Sequence, residues 1–592
     1  MSDFIYSRKA VAHGTLSKEI QKIYHKDKVP VNEYHGIWGS LAVSHNLYKG
    51  FRPYETREHI FIVIGGPVLA FRDNQFLTKG DEVEGSKAIY NNWIANDIHW
   101  DEDLSGPFAI LIINKSTAEI ICVSDLMSFI PVYLYQNKDN FMLSTHTDVL
   151  ARASKQEDKA DLISKVDFIL HGVVTYPYTC YANLRQLAPA TMHTFSNTKS
   201  DPVYSAYWIP EEKNLYKSID KAAGEARYGL QTYVNAVVEG MSHIAQFITG
   251  GEDSRTISGL LPRRCKRDAF VFLEAMNLEG KIAKKAAEAY GANFNISIRT
   301  KIHYLEILPA CSDLVGSGSE YRHVHAYGFH ETCNLNNYPA IFGGLFSDAL
   351  LKGSRIEKSR NYGFLPQIKN AGYSPVEPYT YKYKIFSTTV MDEVTERRQA
   401  YLSYIKTLRP ESAEEWFQLW PSSMNKCIPN IHGNRRLFRS YEPFLAKEVV
   451  KTSAGVPQKW KLNRRLFHKV TKPFHISTKW LFHSDGRLPY FPWYVNNIVS
   501  FPTKVFRKIR ETTGLAKSYD GAWYDWEIIL ASKEWENTIS KYSGGIKEIE
   551  SLLEDKNVLR ILQERHLDGG QKANLVQDLH INQMNRNILY LS

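Results

Sequence analysis

A short apolar run, two glycines and a helix start follow one another at residues 244–261, and they constrain the fold more than any other stretch. Ile244-Ala245-Gln246-Phe247-Ile248 reads as a buried strand. Thr249-Gly250-Gly251-Glu252-Asp253-Ser254 follows as a glycine turn, and Arg255-Thr256-Ile257-Ser258-Gly259-Leu260-Leu261 as the opening of a helix. Glycines let the backbone approach a ligand closely. The helix start adds unpaired N–H groups and the positive end of its dipole, which suit a phosphate or pyrophosphate. Asp253 supplies a carboxylate able to hold Mg²⁺ against such phosphates. The same six residues also suit a tight strand-to-helix turn that binds nothing, because short glycine motifs arise by chance.

The chain has 592 residues, more than one ordinary core holds, so two or more domains are expected. With 43% apolar and 23% charged residues it has the composition of a folded protein. No segment approaches the roughly 18 uninterrupted apolar residues of a membrane span, and Met1-Ser2-Asp3-Phe4-Ile5-Tyr6-Ser7-Arg8-Lys9 lacks the apolar core of a secretion signal. Cys122, Cys180, Cys265, Cys311, Cys333 and Cys427 lie far apart and form no Cys-x-x-Cys pair, so neither a zinc site nor a disulfide framework is expected. The expected setting is the cytoplasm, with no membrane association. A net charge of +10 favours anionic small ligands but does not indicate nucleic-acid binding. The densest basic stretch runs from Lys459 through Lys461, Arg464 and Arg465 to Lys472; a solvated helix face is its plainest reading.

From residue 35 to about 205, short β-branched and aromatic runs alternate with turn residues. The expected strands are 59–64, 108–113, 120–123, 132–135 and 141–144, with a helix over Ser86 to Asn96. The texture changes near residues 209–216. Leu215 to Gly240 has helical periodicity, and strands then alternate with helices: Asp268–Leu273 is a strand, Lys281–Tyr290 a helix stopped by Gly291, and Ala340–Gly344 a strand ending in glycines. Beyond about residue 385 the chain reads as helical and aromatic-rich. In Glu320 to Glu331, the spacing of His323, Tyr327 and His330 suits one helix face, as structural histidines or as pocket lining.

In this order and spacing, several segments resemble the asparagine synthetases and their relatives the β-lactam synthetases. Thr249 to Ser254 matches that family's Ser-Gly-Gly-x-Asp-Ser loop, with Thr for Ser. Gly344-Leu345-Phe346-Ser347-Asp348-Ala349-Leu350-Leu351-Lys352-Gly353 aligns with Gly-Glu-Gly-Ala-Asp-Glu-Leu-Phe-Gly-Gly, and Pro443-Phe444-Leu445-Ala446 with Pro-Phe-Leu-Asp. Upstream, Leu104 to Ala109, Asp125, Pro131-Val132-Tyr133 and Leu184 to Ala190 resemble the glutaminase domain. The resemblance spans about residues 59 to 470. It implies an α+β fold with an N-terminal β-sandwich of the Ntn-hydrolase kind, a class II glutamine amidotransferase-like domain over residues 1–210. Residues 211–592 then form an α/β parallel-sheet synthetase domain of the adenine nucleotide α-hydrolase, or ATP-pyrophosphatase PP-loop, kind with a helical C-terminal part.

The resemblance also implies chemistry. ATP activates a substrate carboxylate as an acyl-adenylate, pyrophosphate leaves, and an amine attacks. By that resemblance Asp253 and Asp348 hold Mg²⁺, while Thr249, Gly250, Gly251, Ser254 and Gly344 line the nucleotide. The family's lysine at the reacting acyl phosphate aligns best with Arg464, with Lys461 as the other candidate; an arginine there can hold a phosphate but stays protonated. The partners are then a small-molecule or peptide carboxylate and an amine, and a homodimer is compatible with them.

Departures narrow this. The family's N-terminal cysteine nucleophile is replaced by Ser2, and His35-Gly36-Ile37-Trp38-Gly39 reads either as a degenerate copy of that start or as an ordinary strand entry. Ile64-Gly65-Gly66-Pro67 stands where an Asn-Gly-Glu segment would cradle glutamine. The glutaminase is expected to be inactive. Leu345, Ala349 and Ala446 replace pocket residues of both named activities, so an amide-forming ligase with other substrates is expected. A glutamine- or ammonia-dependent asparagine synthase and a non-catalytic scaffold are the rival readings.

Overall fold

The computed structural model describes residues 3–24, 28–196, 202–359, 365–376, 385–503, 505, 526–548 and 567–591. Ser2 lies outside them.

The central strands of the first half, His59–Gly65 and Phe108–Asn114, are buried on both faces, and they read as continuous apolar runs for that reason. Two six-stranded sheets use β1 (Phe4–Ser7), β2 (Val31–Gly36), β3 (Gly39–Ser44), β4 (Tyr54–Glu55) and β5 (His59–Gly65). A short ladder of β6 (Val68–Leu69) and β7 (Leu104–Ser105) stands apart. The sheets continue with β8 (Phe108–Asn114), β9 (Ile120–Ser124), β10 (Tyr133–Gln136), β11 (Phe141–Ser144), β12 (Leu184–Gln186), β13 (Thr191–Phe195) and β14 (Val203–Ala206). Their orders are β12-β10-β11-β1-β3-β2 and β14-β13-β9-β8-β5-β4. Ile60, Ile62 and Ile64 of β5 face Phe4, Tyr6, Leu41 and Val43 across the sandwich. Phe61 and Val63 face the other way, toward the helices Glu84–Ile94 and Ile219–Val238. The outer face of the first sheet is covered by the helices Thr15–Gln21 and Leu162–His171.

The second half is a parallel sheet of β15 (His243–Phe247), β16 (Lys266–Leu273), β17 (Asn293–Ile298), β18 (Ile341–Phe342) and β19 (Ser440–Tyr441), in the order β17-β16-β15-β18-β19. The helix Leu278–Tyr290 returns the chain from β16 to β17, and Gly291 ends it in a left-handed turn at φ +71°. Helices dominate the described residues from 388 onward. The expected fold class, a sandwich followed by a parallel α/β sheet and a helical C-terminal part, is what the structure shows. No helix of the described residues is long and apolar enough to cross a membrane.

Of the two readings of residues 35–39, the structure shows the ordinary strand entry: they close the β2–β3 hairpin, where Gly36 pairs with Gly39. The strand at the chain start is β1 itself, central between β11 and β3. One local expectation is corrected: His323, Tyr327 and His330 do not share a helix face. Tyr321–His323 is a single 3₁₀ turn and Phe329–Thr332 a separate helical turn. His323 is committed to the buried Glu320, Nε2 to Oε2 at 2.8 Å.

The two halves are fastened at the chain start. Asp3 is fully buried and accepts from Arg435 Nη2 at 3.0 Å, Arg436 Nε at 2.9 Å and Arg436 Nη2 at 2.7 Å, as well as from Tyr24 and Thr145. Both arginines lie on the helix Pro429–Leu437 that leads into β19. Burial alone would raise the Asp3 carboxyl, but Arg435 and Arg436 hold it well below the usual carboxylate range. At the other end the helix Gly569–Leu591 packs on Leu162–His171, where Lys165 pairs with Asp578 at 3.3 Å.

Removing one partner of such a buried pair strands the other charge, at a cost of about 3–5 kcal/mol. Asp3→Ala should lower stability by that order in urea unfolding at neutral pH. The deficit should shrink in acid, because a depressed carboxyl contributes above its ordinary value of 3.8 and loses that contribution as pH falls through its folded value. A pH-independent deficit would contradict this.

Candidate functional site

The loop after β15 is tied to itself before it offers anything to a ligand. Thr249 N–H donates to Ser254 Oγ at 3.0 Å, and Gly251 N–H to Thr249 Oγ1 at 3.0 Å. Gly250 N–H donates to the Glu279 carboxylate at 2.6 Å. A phosphate on the Gly250 and Gly251 amides would therefore have to displace Glu279 and Thr249. The other donors here are the first N–H groups of the helix Glu252–Leu260, which a helix leaves without internal partners. Arg255, fully buried, roofs the loop: its guanidinium donates to Gly250 O, Leu481 O and Phe482 O at 2.7–2.8 Å.

The loop after β18 meets this one because β15 and β18 are paired neighbours. Gly344 lies directly against Asp253; a Cβ there would stand 3.0 Å from Asp253 Cβ. Asp253 and Asp348, far apart in sequence, converge on one cation. Lys352 Nζ is 2.6 Å from Asp253 Oδ1 and 2.7 Å from Asp348 Oδ1. Burial disfavours the Lys352 ammonium, but Asp253 and Asp348 outweigh it and raise its pKa. The carboxyls split: burial raises Asp253, while Lys352 holds Asp348 down against burial. Two carboxylates are a suitable donor set for Mg²⁺. With both on one ammonium, however, these residues do not fit a metal ion shared between Asp253 and Asp348.

A second charge cluster adjoins the first. Glu252 accepts from Arg464 Nη1 at 2.6 Å and from Arg487 Nη1. Burial would raise Glu252, and Arg464 and Arg487 hold it far below the ordinary range. Arg464 thus lies beside the motif helix with 42% of its side chain exposed. Lys461 does not join it: its ammonium is buried on Glu415 at 2.8 Å and Ser453 Oγ at 3.0 Å. So the structure brings together Thr249, Gly250, Gly251, Asp253, Ser254, Gly344, Asp348 and Arg464, and places Lys461 in the core beneath.

Sequence reasoning passed over Lys352, Glu252, Glu279 and Arg487. For Lys352 a signal existed. It stands four residues after Asp348, the spacing of a helical ion pair, where the aligned signature has glycine. Glu279 and Arg487 come from separate elements, and only the tertiary fold brings them here.

In the sandwich, Asp125 accepts from the N–H groups of Phe108, Met127, Phe129 and Ile130 at 2.9–3.2 Å, and burial still pushes it up to about 7. It braces the turn between β9 and β10. Around Gly65 and Gly66 the backbone packs against Pro107 and Tyr48, beside a cavity of about 20 Å³ also lined by Arg435 and Glu442. That volume holds about one water.

A family model described as a glutamine amidotransferase domain matches residues 68–208. A putative glutamine-hydrolyzing asparagine synthetase 2 of Methanocaldococcus jannaschii is 24% identical over 214 residues, which are 35% of this chain. The match spans 41% of that relative's length. Among solved structures, a B. subtilis glutamine phosphoribosylpyrophosphate amidotransferase complexed with ADP and GMP aligns at 11% identity and a TM-score of 0.26. It covers 50% of this chain and 65% of that one. An allosteric regulatory enzyme of purine biosynthesis aligns at 10% identity and 0.25, with the same coverage.

Glu442 supports the Gly344 loop from below. It is buried, accepts the Leu345 N–H at 2.9 Å, and burial pushes it up to about 8. An acid raised in the folded state stabilises below its ordinary value of 4.5, and that contribution fades as pH rises toward 8. Relative to Glu442→Gln, the wild type should lose up to about 1.4 kcal/mol per pH unit across that window. Parallel stability profiles for the two proteins would contradict the assignment.

Proposed function

We propose that this chain, a divergent asparagine synthetase-like protein, is an ATP-dependent carbon–nitrogen ligase. Residues 211–592 would form the synthetase half, and residues 1–210 a glutaminase-like half that no longer supplies ammonia. The match covers under half of the relative's length, so the activity is inferred from this chain's own site. What carries the reading is the convergence of the Thr249–Ser254 and Gly344–Asp348 loops at one end of a parallel sheet, where ligands of open α/β sheets collect.

In this proposal the first N–H groups of the Glu252–Leu260 helix, with Thr249 and Ser254, receive the ATP phosphates. A substrate carboxylate oxygen attacks the α-phosphorus, the bond to the bridging oxygen breaks, and pyrophosphate leaves with its electron pair. The amine nitrogen then attacks the acyl carbon, the bond to the AMP oxygen breaks, and the amine loses a proton. Activation turns a poor leaving group into a good one. Arg464 and Arg487 stabilise negative charge as it develops on the leaving phosphates, exchanging Glu252 for the polyanion. Magnesium would arrive with ATP rather than be held by Asp253 and Asp348, which share the Lys352 ammonium. Ser2 lies outside the described residues, and the one-water cavity beside Gly65 and Gly66 supports a half that does not bind glutamine there.

A second reading is favoured by one observation: the loop amides and charges are paired internally, as suits a scaffold that keeps the fold without turnover. Exchange of labelled pyrophosphate into ATP, measured across panels of carboxylic acids, separates the two. A ligase gives acid-dependent exchange that Arg464→Ala lowers by about 10²-fold. Exchange with aspartate, followed by asparagine formation from ammonia, would instead make the protein an asparagine synthase. ATP binding without exchange for any acid would favour the scaffold.

A further inference from the structure

We propose that Lys352 is a built-in cation that occupies the position a divalent metal would take between Asp253 and Asp348. The Lys352 ammonium touches both carboxylates, at 2.6 and 2.7 Å, and reaches Asp253 Oδ2 as well at 2.7 Å. Its side chain is only 6% exposed, and the Phe467 ring closes its remaining side, with the centroid 4.5 Å from Nζ. An ammonium over an aromatic face and between two carboxylates is held electrostatically from each direction.

The position is set by the backbone. Asp348 lies in the helical turn Ser347–Leu350, and Lys352 follows at i+4, so its stem rises along the Asp348 side of that turn. Gly344 brings Asp253 in from β15. Where the aligned signature has glycine, this chain has placed a four-carbon stem ending in a fixed charge. A monovalent ammonium leaves the carboxylate pair with net negative charge, whereas Mg²⁺ would neutralise it. It also cannot bridge phosphates as a metal does. An ammonium has three N–H donors, and here they are directed at the Asp253 and Asp348 carboxylates. The substitution of lysine for metal rests on these contacts and not on the nucleotide reading above.

Manganese titration of the intact chain, followed by electron paramagnetic resonance without nucleotide, tests this directly. Wild type and Asp348→Asn should bind Mn²⁺ alike, because the pair is already filled. Lys352→Gly should gain one site at least about tenfold tighter than any in the wild type, and the double variant Lys352→Gly/Asp348→Asn should lose it. A wild-type site weakened by Asp348→Asn overturns the proposal, and so does a folded Lys352→Gly that gains no site. Asp348 is 64% exposed at its side chain, so its variant needs no repacking and the wild-type comparison decides even if Lys352→Gly does not fold. ATP titration in excess EDTA is read separately. Absence of binding there removes the nucleotide reading and leaves the manganese result standing.

Discussion

Parallel pairing of β15 with β18 is the constraint on which the rest of this site depends. Ala245 stands opposite Ile341 and Gln246 opposite Phe342, so both strands end at the same edge of the sheet. Their loops must then share space, and Gly344 permits it by leaving room for Asp253. Carboxylates that are remote in sequence become neighbours, and a cation between them becomes an electrostatic requirement. Two unpaired carboxylates at this distance would repel each other in a partly dry site. Lys352 meets that requirement from within the chain.

The other charges follow the same logic. Glu252 begins the motif helix, where the dipole favours an anion, and Arg464 and Arg487 satisfy it from the C-terminal part. Arg255 locks the residues around Leu481 over the loop. The region that closes over the motif is thus held by guanidinium contacts to carbonyls and carboxylates. The sandwich contributes rigidity instead. Asp3, drawn between Arg435 and Arg436, ties β1 to the helix that feeds β19. Asp3 in this buried ion cluster anchors β1.

The sheet strands were legible because their burial imposes a pattern. β5 and β8 are buried on both faces and read as unbroken apolar runs, and the helix Leu278–Tyr290 carries its own stop in Gly291. The glycine loop was legible because the turn chemistry is local. Less could be read where geometry is made by partners distant in sequence. His323 to His330 has helical spacing, but Glu320 captures His323 and the chain turns instead. Lys461 and Arg464 are neighbours in one basic stretch. Only the fold decides that Glu415 takes the first into the core and Glu252 takes the second to the helix start. Lys352 stands four residues after Asp348, but its second partner, Asp253, is brought to the same ammonium only by the fold.

The most direct measurement is a crystal structure of the intact chain grown with ATP and Mn²⁺, with the metal placed by its anomalous scattering. The account predicts phosphates against the N–H groups of Glu252 to Ser254, manganese bound through those phosphates, and the Lys352 ammonium still between Asp253 and Asp348. Manganese coordinated jointly by Asp253 and Asp348, with Lys352 swung away, would contradict it.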